Sequence, residues 1–177
     1  MLNPALIRNI ARGIDKSARG ISFLPMIKKI LIPTDFSPSA MLALNYAIEL
    51  NKILNARLYL LHILQDITDY SEFNLSPSIL PQLYAEFEQN ATRRLEEIMS
   101  SKVPADTPCD TYILHGIPFV EIIQFAKDEN IDLIVIASHG RTGLKHVLFG
   151  STAEKVVKKS PCPVLTIGSQ VTGADLV

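Results

Sequence analysis

Only two cysteines, Cys109 and Cys162, occur in the 177 residues, and they form no C-x-x-C pair. Two thiols do not make a disulfide framework, and without a ligand spacing neither a structural zinc nor a dithiol redox site is expected. A reducing cytoplasm is the expected compartment. No apolar run approaches the roughly 18 residues that a membrane-spanning helix needs, so no membrane span is expected. Charge of one sign is also missing: the formal net charge is −1, which gives no bulk attraction to nucleic acid. Two familiar phosphate-binding signatures are absent as well. No Gly-Lys-Ser/Thr follows a glycine at P-loop spacing, and no G-x-G-x-x-G follows the first strand.

What is present is enough apolar material for a core. Hydrophobic residues make up 47% of the chain, which excludes disorder over its whole length, and the length suits about one domain. The first 25 residues read as a separate piece. They carry Arg8, Arg12, Lys16 and Arg19 against Asp15, a net of +3 that leaves −4 for the remainder. Leu6, Ile7, Ile10 and Ile14 fall at helical spacing between the basic residues. Three readings stay open for 1–25: a loosely ordered tail ahead of a fresh start at Met26, a short helix docked on the domain or a partner, or a basic amphipathic surface anchor. A secretory signal is not expected, because the segment lacks a continuous apolar stretch followed by a small-residue cleavage pattern. The domain is expected over 26–168, with a frayed polar tail over 169–177.

Within the domain the pattern alternates. A short strand over 28–32 ends at Pro33. Ser37-Pro38 reads as an N-cap and a first-turn proline, opening a helix with Ala40, Ala43, Leu44, Ala47 and Ile48 on one face. A nearly continuous apolar strand follows at 57–64. Tyr84, Phe87, Ala91, Leu95 and Ile98 mark a long helix, and 111–114 the third strand. Pro118 opens a helix ended by Asn130. The most apolar strand, 133–137, is expected at the sheet centre. Ser151 is expected to cap a last helix, followed by a strand at 163–167. Strict β-α alternation implies an α/β fold, a doubly wound five-stranded parallel sheet with helices on both faces and right-handed crossovers.

In such sheets ligands sit beyond the carboxyl ends of strands where the winding reverses. Two strand ends stand out. After the first strand, Asp35 is a carboxylate able to accept a hydrogen bond from a ribose hydroxyl; alternatively Asp35 or Ser37 merely caps the helix. After the fourth, Gly140 and Gly150 permit close backbone approach. Ser151 and Thr152 open a helix whose amides suit an anion, and Arg141 adds charge. The other reading is a glycine-rich turn with an ordinary serine cap. The four histidines, His62, His115, His139 and His146, do not stand at zinc spacing. His139 reads either as a base or as loop packing, and Cys162 as a small buried residue.

Seven segments in order carry a resemblance: Pro33-Thr34-Asp35-Phe36-Ser37, Leu61-His62-Ile63, His115-Gly116-Ile117-Pro118, Asp132-Leu-Ile-Val, Ser138-His-Gly-Arg-Thr-Gly143, Gly150-Ser151 and Ser160-Pro-Cys-Pro-Val164. Together, over about 26–168, they resemble the universal stress protein A family. The resemblance implies a Rossmann-like sheet of strand order 3-2-1-4-5 and an ATP site, with room for Mg²⁺ to ride on the nucleotide. The family pattern Gly-x2-Gly-x9-Gly-Ser/Thr reads here as Ala137-x2-Gly140-x9-Gly150-Ser151, with Ala137 in place of the first glycine. A methyl there crowds the ribose or α-phosphate but leaves the amide. By the same resemblance Pro33, Thr34 and Asp35 line the nucleoside, with Asp35 on the ribose, Ile63 holds the adenine edge by its backbone, and Gly140, Arg141, Gly150, Ser151 and Thr152 cradle the phosphates, with Ala137 and His139 also counted in the nucleotide site. It further implies a homodimer through strand 163–167, an unidentified protein partner, and an ATP-dependent regulatory role in the stress response. Slow ATP hydrolysis and a nucleotide-independent dimeric interaction module remain as alternatives, and no general base beside a γ-phosphate is legible.

Overall fold

The computed structural model describes residues 27–65, 79–139 and 150–168. Residues 1–26 and 169–177, and with them the open question of the basic leading segment and the expected frayed tail, lie outside the described residues. The elements run β1 (Lys29–Pro33), α1 (Pro38–Leu54), β2 (Arg57–Leu64), α2 (Leu80–Lys102), β3 (Cys109–His115), α3 (Pro118–Asp128), β4 (Leu133–Ala137), α4 (Ser151–Lys159) and β5 (Val164–Ile167). The five strands form one sheet in the order β3-β2-β1-β4-β5, and every pairing is parallel.

Period-two alternation divides the core into two halves. Ile30 and Ile32, Leu58 and Leu60, and Leu133 and Val135 face α1 and α2, where they meet Ala43, Leu44, Ala47, Leu95 and Ile98. Leu31, Tyr59, Leu61, Ile134 and Ile136 point the other way and pack with Ile122, Phe125, Ala153 and Val156 of α3 and α4. Because both faces are covered, the strands read as continuous apolar runs rather than alternating ones.

Local chemistry sets the element ends. The Ser37 Oγ accepts from the Ala40 N–H at 3.1 Å, and Pro38 occupies the first turn of α1. Asn55 closes that helix in the left-handed region at φ 52°, a conformation asparagine tolerates better than most residues. Asn130, at φ 51°, does the same just after α3. Helix α2 starts at Leu80, four residues before the expected apolar stripe. Pro81 fits that first turn, where a missing N–H costs nothing. The Gly116 backbone sits at φ 135°, and a Cβ there would lie 2.7 Å from the Glu121 Oε1, so this turn requires glycine.

Two expectations need correction. The strand at the sheet centre is β1, not β4; β4 lies beside it, still buried at every residue. An apolar run reports cover on both faces but not distance from an edge, because β5 shields β4 as β4 shields β1. Nor does Ser151 cap α4: Gly150 is the N-cap, and no side chain bonds to the first turn.

The start of β1 is tied to β4 through Asp132. Its Oδ2 accepts the backbone N–H groups of Lys28 at 2.8 Å and Lys29 at 3.0 Å, and its own N–H donates to the Lys29 carbonyl at 3.0 Å. This clamp sits one residue before the β1–β4 pairing begins at Ile30 and Leu133. Asp132→Ala removes the acceptor of two strand amides and is expected to cost about 1–3 kcal/mol. A urea midpoint unchanged from wild type would show the clamp to be idle.

Candidate functional site

The winding reverses between β1 and β4. The chain leaves β1 for α1 on one face of the sheet and leaves β4 for α4 on the other. The carboxyl ends of these neighbouring strands therefore diverge, and a cavity of about 670 Å³ opens above them. That falls within the roughly 300–1,000 Å³ usual for small-molecule sites.

The first wall is the turn after β1. The Thr34 N–H donates to the Leu61 carbonyl at 2.8 Å, extending the β1–β2 ladder. The Thr34 carbonyl meets the His62 Nδ1 at 2.8 Å. A carbonyl only accepts, so the ring proton sits on Nδ1. Phe36 follows at φ 65°, a region a bulky side chain rarely occupies and one costing about 1–3 kcal/mol. Several contacts hold it there. The Thr34 Oγ1 accepts the Phe36 N–H at 3.0 Å, and the Asp35 Oδ1 accepts the Ser37 N–H at 3.0 Å. The Phe36 ring lies 4.2 Å from the buried His62 ring. The Arg94 guanidinium lies over the same ring, 4.4 Å from its centre. The turn is a fixed platform on which Asp35 lines the cavity, while Ser37 does the capping of α1.

The second wall is the end of β4 and the start of α4. The Ser138 N–H donates to the Ile167 carbonyl at 2.8 Å, and its carbonyl accepts the Gly150 N–H at 2.7 Å. The ends of the 139–150 connection are thus joined at their base. The Ser138 Oγ and the His139 Nδ1 are 2.9 Å apart. With Gly150 spent on Ser138, the first helix bond of α4 runs from the Glu154 N–H to the Gly150 carbonyl at 3.0 Å. The amides of Ser151, Thr152 and Ala153 have no acceptor in the helix, the general condition of a helix start, and all three residues line the cavity. Here the positive end of the helix dipole meets the space above the sheet.

Of the residues singled out in the sequence, Pro33, Thr34, Asp35, Ile63, Ala137, His139, Gly150, Ser151 and Thr152 line this one cavity. Gly140 and Arg141 lie outside the described residues. Ala137 is also part of the apolar cluster facing α1 and α2. Sequence reasoning missed Arg94, the one lysine or arginine among the described lining residues. It stands 58 positions from Phe36, and it reads simply as the polar neighbour of core residue Leu95. Both cysteines lie off the cavity. Burial pushes the Cys109 thiol up to about 11, with Asp110 adding to the effect, and burial also raises Cys162. Neither is a thiolate nucleophile near neutral pH.

A doubly wound parallel sheet whose crevice opens at its switch point places the protein in the Rossmann-like α/β class. Within that class, the model of the universal stress protein family matches residues 26–168, and the chain belongs to this family. It is 35% identical over 154 residues to universal stress protein MJ0577 of Methanocaldococcus jannaschii, a match covering 80% of this chain and 95% of the relative. The solved structure of MJ0577 superposes with a TM-score of 0.72 at 34% identity, covering 84% of this chain and all of that one. Universal stress protein UspA of Lactobacillus plantarum gives 0.66 at 28% identity, covering 81% and 99%. A universal stress protein solved in complex with cAMP gives 0.52 at 19% identity, covering 79% and 95%, a likeness of fold alone. No helix among the described residues is long and apolar enough to cross a membrane.

Proposed function

We propose that the protein binds an adenine nucleotide, ATP with Mg²⁺ riding on its phosphates, and acts as a nucleotide-responsive regulatory protein of the stress response. One observation carries this reading: Asp35 and the open amides at the start of α4 line the same cavity from opposite sides of the switch point. A carboxylate suits a ribose hydroxyl, and helix amides suit phosphate. In this reading Asp35 takes the sugar, with Pro33 and Thr34 beside it, and the Ile63 backbone meets the adenine edge. Ser151 and Thr152 take phosphate oxygens, joined by Gly140 and Arg141 through the family motif, and Ala137 and His139 close the β4 side. Support also comes from the fold, which a relative solved with cAMP shares. A homodimer through β5 belongs to the same proposal: β5 is a sheet edge, and Leu165 on it is 39% exposed, the kind of edge that needs covering.

Titration calorimetry of the full chain with Mg·ATP is the direct test, and a dissociation constant below about 1 mM is expected. Ser151→Glu sharpens it because two effects of opposite sign follow. A carboxylate in the first turn of α4 favours the helix dipole and is expected to raise stability by about 0.3–1 kcal/mol. The same charge repels bound phosphate, and ATP affinity is expected to fall roughly three- to tenfold, the range of 0.6–1.4 kcal/mol. No heat of binding to the wild type, or a Ser151→Glu variant that binds as tightly, refutes the assignment.

A further inference from the structure

Arg94 is placed differently from the ion-paired basic residues of the described surface: it lines the cavity. Its neighbour Arg93 is exposed and pairs with Glu97 at 2.7 Å, one helical turn away. Lys52, Arg57 and Lys158 likewise have carboxylate partners. Arg94 is half-buried, lines the cavity, and has no ion pair among the described residues. Its recorded hydrogen bond is a long one, from Nη2 to the Phe36 carbonyl at 3.5 Å. A guanidinium has five N–H donors, so most of its capacity is unspent among the described residues. What locates it is the Phe36 ring beneath it, itself backed by His62. A planar, delocalised cation stacks on an aromatic face where a lysine ammonium would not do so equally well.

The place of this cation is specific. Phe36 directly follows Asp35, the single acidic residue among the described cavity lining. The strained turn therefore presents a carboxylate and, through the next side chain, a stacked guanidinium. Phe87 and Asn90 line the cavity from the same helix, α2, at the i, i+3, i+7 positions of one helix face. Phe87 is 41% exposed, an apolar ring left open to the cavity. The start of α4 supplies one anion-seeking pole, and Arg94 on α2 supplies another, with Asp35 between them in role.

We propose that Arg94 forms a second anion subsite at the sugar side of the cavity, one that takes a phosphate on the ribose of a nucleotide whose 5′-phosphate lies on α4. This rests on the nucleotide reading above and narrows its ligand class. Asp35 engages one ribose hydroxyl, and the phosphate esterifying the other meets the guanidinium. Such a ligand is an adenosine 2′,5′- or 3′,5′-bisphosphate, free or as part of a larger molecule.

The test uses the full chain and four ligands: AMP, ADP and the two adenosine bisphosphates. ADP and the bisphosphates carry the same number of phosphates, so only placement differs. One bisphosphate is expected to bind roughly tenfold tighter than AMP, the scale of one charge-assisted contact. Arg94→Gln is expected to erase that gain while leaving AMP and ADP within about twofold of wild type; Arg94→Lys should restore part of it. Phe36→Leu removes the stacking platform and should reduce the gain without touching the guanidinium. If both bisphosphates bind no tighter than AMP, or if Arg94→Gln weakens ADP as much as the bisphosphate, this subsite is refuted while the nucleotide site stands. If none of the four ligands binds, both proposals fall together.

Discussion

Leu31→Ala is expected to lower the unfolding free energy by about 2–5 kcal/mol, read as a drop in urea midpoint with little change in slope. Leu31 has no exposed surface and lies on the central strand, opposite Tyr59 on one side and Ile134 on the other. Its side chain faces the α3/α4 layer with Ile122 and Val156, both also fully enclosed. The surroundings have little room to relax, because β1 is fixed by a ladder on both sides. A cavity should therefore persist, and the residual void is what separates the top of that range from the bottom. Leu31→Ile keeps the volume and is expected to cost under about 1.5 kcal/mol. A Leu31→Ala midpoint within experimental error of wild type would mean that β1 is not the centre of the core. Because β1 also carries the turn at Thr34–Phe36, saturating ATP is expected, on the proposed nucleotide site, to raise the midpoints of this variant and of the wild type alike.

The fold was legible because it rests on local signals repeated many times. Apolar runs of strand length alternate with apolar stripes of helical period, and each stripe has its own punctuation in Ser37-Pro38, Asn55, Pro118 and Asn130. The sheet order was not derivable from those signals. It came from resemblance, and the expectation that 133–137 lies at the centre shows why: burial of a strand on both faces says nothing about how many strands lie beyond it. The cavity residues on strand ends were legible for a similar reason. Asp35 stands two residues after β1, and Gly150 and Ser151 open the helix that follows β4; topology alone sends such positions to one edge of the sheet. Arg94 was not, because it lies inside a helix, and its role depends on the left-handed Phe36 that turns a ring toward α2. No propensity rule predicts a phenylalanine in that conformation. The expected serine cap formed at one of the two helix starts and not at the other. Ser37 caps α1, whereas Ser151 stands one residue inside α4, and Gly150 leaves that helix start without a side-chain cap. The difference matters, since a capped start has less to offer an anion than an open one.

Asp35→Asn is the sharpest test of the sugar contact, and it is expected to weaken ATP binding by about 1.5–3 kcal/mol, roughly 10- to 150-fold. The substitution is nearly isosteric and keeps an oxygen able to accept the Ser37 N–H now bonded to the Asp35 Oδ1. The strained turn should therefore survive, with Thr34 still holding the Phe36 amide. What is lost is the negative charge, and with it the stronger of the two kinds of hydrogen bond to a hydroxyl. The competing view of this residue is that it serves the backbone alone, and Ser37→Ala separates the two. Ser37 is buried and supplies the cap of α1 through its Oγ, so its loss is expected to cost about 0.5–2 kcal/mol of stability. It does not line the cavity, so ATP affinity should stay within about twofold, a change of 0.4 kcal/mol. The two variants are thus expected to move opposite observables: binding without stability for Asp35→Asn, stability without binding for Ser37→Ala. Should Asp35→Asn unfold more easily yet bind ATP as tightly as wild type, the carboxylate is a structural brace, and the ribose contact must be sought elsewhere on the cavity wall.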